Sequence, residues 1–159
     1  LLKEYDNLVV VRTLSKSRAL AGLRVGYALG SPNLISGLCC VRDSINSYTV
    51  DRLAQAGAVA ALEDGPYFEE MRERVIRTRE RTEERLRAMG FAVLESKANF
   101  LFVSHPKRTG KALLDGLREQ GILVRWFDRP RIGNYLRISV GTDDEMDALR
   151  AALKALTEG

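Results

Sequence analysis

Residues 7–13 (NLVVVRT) run straight into Leu14-Ser15-Lys16, and this junction of an apolar stretch with a polar corner points to the fold class. A continuous valine-rich run predicts a strand covered on both faces, as in α/β sheets. A short Gly-containing connection leads to a second strand over residues 23–29. Pro32 then stands where a helix opens, to be continued over residues 33–41. Loops leaving strand ends in such sheets open into crevices that bind ligands, so Lys16 occupies a position chemistry can use.

Working outward, residues 51–62 predict a helix whose apolar side is Leu53, Gly57, Ala60 and Ala61. So many small residues imply a close neighbour. Gly65-Pro66 punctuates the chain. Beyond it Phe68, Met71, Val75, Thr82, Leu86 and Met89 form one stripe of a long helix ending at Gly90. Strands are expected at 91–94, 100–103, 122–125 and 135–140. Thr109 caps a helix that stops at Gly121, and Thr142 with Glu145 forms a capping box for a last helix bearing Met146, Leu149, Leu153 and Leu156. The order of elements is α/β in the first part and α+β in the second, with a domain boundary near Gly65, giving residues 1–65 and 66–159.

The 159 residues are 45% apolar and 29% charged, ordinary values for a soluble globular protein. No apolar run is long enough to cross a bilayer, so no membrane association is expected. Nothing resembles a secretory leader, and the adjacent Cys39 and Cys40 read as two small buried thiols of a cytoplasmic protein. The chain does not begin with Met and is read as a piece of a longer protein. Its single histidine, His105, precedes Pro106 in an expected turn, where a solvated or locally hydrogen-bonded ring is the plain reading. With so few ligands no metal site is expected. The net charge of +4 does not imply nucleic-acid binding. Residues 67–89 interleave arginines with glutamates, and Glu70–Arg74, Glu73–Arg77 and Glu83–Arg87 have the spacing of helical ion pairs on a solvated face.

Lys16 is flanked by Arg18 and Arg24, whose positive charge would favour the neutral amine that Schiff-base chemistry needs. Ser15 and Arg24 offer a hydroxyl and a forked guanidinium suited to a phosphate dianion. On these residues alone a solvated loop lysine is the commoner occurrence. Arg137 interrupts the apolar strand Tyr135-Leu136-Arg137-Ile138-Ser139-Val140 and must find an anion or reach solvent. Arg125 poses the same question at the end of its strand, and a structural salt bridge remains open for both. Gly110-Lys111 is not a P-loop, because His105 stands where its leading glycine would be and Ala112 where the metal-binding hydroxyl would be. Gly22, Gly26 and Gly30 lack the dinucleotide spacing.

The string RTLSKSRALAGLRVGYALG (residues 12–30) closely resembles the lysine segment of histidinol-phosphate aminotransferases, within the fold-type-I aminotransferases. So do ANF at residues 98–100, GILVR at 121–125 and YLRISVGT at 135–142. The resemblance implies the tail of the large-domain sheet followed by the small domain. It implies pyridoxal 5'-phosphate as cofactor, a homodimer, and amino transfer between glutamate and a keto-phosphate of histidine biosynthesis. By the same resemblance Lys16 holds the cofactor and shuttles the substrate proton, while Ser15 and Arg24 bind the cofactor phosphate. Arg137 and Arg125 receive the substrate's acidic groups. The acid that pairs the cofactor's ring nitrogen, the aromatic that stacks on the ring and the partner's phosphate-binding tyrosine have no counterpart in the chain, which alone is expected to be inactive. Threonine-phosphate decarboxylases and aromatic aminotransferases share the Lys16 and Arg137 pattern. A non-catalytic basic domain is the rival from another class.

Overall fold

The valine run forms β1 (Val9–Thr13), paired antiparallel with β2 (Gly26–Gly30) in a register that sets Val9 opposite Gly30 and Thr13 opposite Gly26. The computed structural model describes residues 1–158. It divides the chain into two compact units, Leu1–Glu70 and a second from Met71 onward. The first unit corrects the sequence reading at β1, which is not covered on both faces, since Val11 is 75% exposed. Its pairing with β2 is antiparallel. The link to β2 holds only a one-turn helix, α1 (Leu14–Ser17), and a 3-10 turn at Ala21–Leu23, too little for a crossover between parallel strands.

Helix α2 (Pro32–Ile45) opens with proline in its first turn, where the missing N–H costs nothing. Helix α3 (Arg52–Glu63) is capped by Asp51, whose carboxylate accepts from the Ala54 amide at 2.8 Å. Its buried face is Ala54 and Ala58, not the Leu53 side, which is 82% exposed. The close neighbour implied by its small residues is real. A Cβ on Gly57 would come within 2.9 Å of the Leu23 side chain. Cys39 is half-buried and Cys40 exposed, both free, so neither is the buried thiol expected.

Helix α4 (Gly65–Ala88) is the long predicted helix, and the Glu73–Arg77 and Glu83–Arg87 pairs form along it. In the second unit a four-stranded antiparallel sheet runs β3 (Ala92–Val93), β4 (Phe100–Ser104), β6 (Leu136–Ser139), β5 (Arg125–Trp126). The strand expected at 122–125 begins only at Arg125, because Ile122 and Val124 instead pack on the core as the chain leaves α5 (Gly110–Glu119). Gly90 and Gly121 have positive φ, which ends α4 and α5 at the places their sequence implied. Thr109 caps α5, and Thr142 and Glu145 exchange both hydrogen bonds of a capping box at the start of α6 (Asp143–Glu158). One face of the sheet, with Leu101, Val103, Leu136 and Ile138, forms a core with Leu86, Leu113, Leu117, Leu149 and Leu153. Each such side chain contributes about 1.5–3 kcal/mol on burial. Among the described residues, no helix is long and apolar enough to cross a membrane, and no group of side chains is arranged to hold a metal ion.

His105 is 6% exposed and tilted against Phe91 at 4.8 Å, so it is not solvated. Its Nδ1 accepts from the Lys107 amide, the local hydrogen bond the turn allowed. Burial lowers its pKa below the usual 6.5, helped by the charges of Lys107 and Arg108 and opposed by a backbone hydrogen bond at Met89. The folded chain therefore binds this proton less readily than the unfolded one, and stability must rise with pH across this range. The contribution is complete above about 6.5 and declines as pH falls below it. Urea midpoints recorded from pH 8 to pH 5 should drop more for the wild-type chain than for His105→Phe. Parallel curves for the two proteins would refute the linkage.

Candidate active-site residues

The Lys16 corner is built on one buried pin. Leu14 is 2% exposed, its amide donates to the Val25 carbonyl at 3.1 Å, and its own carbonyl accepts from Arg18 and Leu20. The pin turns the chain at the end of β1 and leaves Lys16 exposed two residues on. Thr13 rigidifies the corner by accepting from the Ser15 amide at 3.1 Å, while Ser17 Oγ donates to the Thr13 carbonyl. The Thr13 hydroxyl also donates to Ser15 Oγ at 2.8 Å, which leaves the Ser15 proton free for an anion. Lys16 Nζ makes no hydrogen bond or ion pair among the described residues.

Arg24 adopts left-handed φ 55 at the end of the 3-10 turn, and its Nη1 donates to the Ala21 carbonyl at 2.8 Å. That bond occupies one prong of an exposed guanidinium and leaves its other donors for an acceptor. Arg18 does something other than flank Lys16. Its Nη1 donates to the Ala61 and Asp64 carbonyls at 2.6 and 3.2 Å, and its guanidinium lies 3.8 Å over the Phe68 ring. A cation on the last carbonyls of α3 is a helix-end clamp.

In the second unit Arg125 and Arg137 come together. They are directly opposed partners in the β5–β6 ladder and line an open cleft of about 330 Å³ with Leu123, Val124, Phe127 and Ser139. Like charges opposite one another on a sheet repel. No carboxylate lines the cleft to neutralise them. Each guanidinium lies over an aromatic ring, Arg137 at 4.4 Å from Phe100 and Arg125 at 5.3 Å from Phe127. Arg137 Nε is buried with no partner. Two forks held side by side in a cleft without acids are suited to a carboxylate or phosphate. Among the described residues, the structural salt bridge left open by the sequence does not form at either position.

One buried cation escaped the sequence reading. Arg79 is 5% exposed although it belongs to the charged stretch taken as a solvated face. The signal was its place, four residues after Val75 and three before Thr82, on the same stripe of α4.

One folded unit holds an exposed lysine at a strand end, with Ser15 and Arg24 in the same unit, and the other holds paired arginines in a cleft, so both carry donors suited to anionic groups. The chain belongs to the class I and II aminotransferase family, whose model matches residues 1–153. It is 54% identical over 153 residues to a histidinol-phosphate aminotransferase of Clostridium acetobutylicum, covering 96% of this chain and 44% of that protein. It is 56% identical over 154 residues to the one from Acinetobacter baylyi, covering 97% and 43%. The crystal structure of histidinol-phosphate aminotransferase from Sinorhizobium meliloti in complex with pyridoxal-5'-phosphate superposes with TM-score 0.84 at 33% identity, over 96% of this chain and 42% of that one. The chain thus spans less than half the length of the relatives it matches.

Proposed function

We propose that the protein is a pyridoxal-phosphate-dependent transaminase acting in histidine biosynthesis, exchanging an amino group between glutamate and 2-oxoglutarate on one side and histidinol phosphate and imidazole-acetol phosphate on the other. The observation that carries this reading is the corner at Thr13–Ser17, where an exposed, unpaired lysine follows a serine hydroxyl with a free proton. Residues 1–65 would be the end of the cofactor-binding domain and residues 66–159 the small domain, in a cytoplasmic homodimer.

The donors present fit the cofactor. Ser15 Oγ and the open side of the Arg24 guanidinium would hold its phosphate, and the Lys16 amine would hold its aldehyde carbon. When bound, the cofactor supplies an electron sink that makes the substrate's α-proton removable. Once the substrate's amine has displaced it from the aldehyde carbon, Lys16 Nζ would be free to take the proton from the substrate carbon and deliver it to the cofactor carbon. The Arg125–Arg137 pair would take the substrate's acidic group.

Borohydride reduction of the full-length holoenzyme, followed by peptide mass mapping, should place the pyridoxyl group on Lys16. Label on any other lysine would defeat the assignment.

A further inference from the structure

We infer that Arg79 is a positioning residue for the paired-arginine cleft: from α4 it fixes the turn that carries Phe100, and through Phe100 it sets the Arg137 guanidinium. The inference rests on the reading of Arg125 and Arg137 as the site for the substrate's anion.

Arg79 Nη1 donates to the Ala98 carbonyl at 3.2 Å, across from helix to sheet. Ala98 belongs to a turn tied further by Ser96, which accepts from the Ala98 amide at 3.1 Å and donates to the Phe100 carbonyl at 2.6 Å. The next carbonyl, Asn99, accepts from the Val140 amide at 2.9 Å and extends the pairing of β4 with β6. Phe100 begins β4 opposite Ser139, and its ring is the surface over which Arg137 lies. A shift at Ala98 therefore moves the ring that orients the guanidinium.

As a mere core filler Arg79 is a poor choice. Its acidic neighbour, Glu80, is 3.5 Å away and 63% exposed, and its own Nε is buried without a partner. A buried cation so weakly compensated costs stability, and an apolar residue of similar volume would fill the space more cheaply. The donor to Ala98 is what the arginine adds.

Coupling between Arg79 and Arg137 is the measurable claim, and a double-mutant cycle isolates it. Arg79→Met, Arg137→Lys and the double variant would be made in the full-length holoenzyme, with inorganic phosphate as the non-reacting probe in calorimetry. KM and kcat for histidinol phosphate would be read alongside. Arg79→Met should weaken phosphate binding and raise KM roughly fivefold, the loss of one positioning hydrogen bond, with kcat little changed. In the Arg137→Lys background the same change should have almost no further effect, and Arg79→Lys should restore part of the affinity. Equal losses in both backgrounds, or no loss at all, would overturn the inference while leaving the anion site intact. If Arg137→Lys itself leaves phosphate binding unchanged, the reading of the cleft fails, and the inference with it. Should Arg79→Met not fold, Ser96→Ala, which loosens the same turn, takes its place in the cycle with the same expected pattern.

Discussion

Replacing Lys16 with alanine in the full-length protein should lower transaminase turnover by at least 10²–10⁴-fold, the usual contribution of a positioned acid–base group. The loss should exceed that range, because the same amine would also hold the cofactor and both tasks disappear together. Lys16→Arg should be as inactive as the alanine variant, since a guanidinium keeps the charge but cannot give up a proton near neutral pH. Neither change should disturb folding. Lys16 is exposed and its Nζ has no partner among the described residues, while the corner is held by Leu14, Thr13 and Ser17. Compared without cofactor, so that lost ligand binding does not enter, the stability should therefore stay within about 0.5 kcal/mol of wild type, as for surface substitutions generally. A small added amine should recover part of the proton-transfer activity of the alanine variant. Substantial activity in unsupplemented Lys16→Ala would remove Lys16 from the chemistry.

The corner that carries Lys16 was legible because its signal is local: a valine run ends, a hydroxyl and a lysine follow, and the Thr13 side chain caps the one-turn helix. The capping box at Thr142 and Glu145 was legible for the same reason, as were the glycine stops at Gly90 and Gly121. What the sequence hid depends on partners far along the chain. Whether β1 is covered is decided by which elements lie on it, and valines cannot report that Val11 stays open. The buried face of α3 rests on Ala54 and Ala58 because Leu23 approaches Gly57, a contact across more than thirty residues of chain. Arg18 was assigned to its sequence neighbour Lys16, whereas its guanidinium reaches Ala61 and Asp64. Arg79 was missed for a different reason. Its charge argues for solvent, whereas its position on the buried stripe of α4 decides its burial. In the cleft each arginine was suspected singly, but their direct opposition follows from strand register, which neither segment states alone.

That opposition gives the Arg137 substitutions opposite signs on stability and affinity. Arg137→Lys keeps the charge and loses the two-pronged fork, so substrate affinity should fall by roughly 2–3 kcal/mol, as for a broken charge-assisted pair. Its stability should change little, because the repulsion from Arg125 across the ladder persists. Arg137→Met goes further. It still fills the space over Phe100, where a thioether packs well on an aromatic ring, but removes one of two like charges held in register. Relief of that repulsion should stabilise the protein by about 0.2–1 kcal/mol at low salt, less as salt rises. It also removes a buried, unpartnered Nε. Affinity for the anionic substrate should nevertheless fall at least as far as in the lysine variant. A residue retained only to support the fold cannot behave in this way, since its loss lowers stability and function together. Unfolding midpoints and substrate affinities measured on both variants would decide the matter. A methionine variant that is less stable than wild type yet binds substrate equally well would assign Arg137 to the fold and leave the cleft without its anion site.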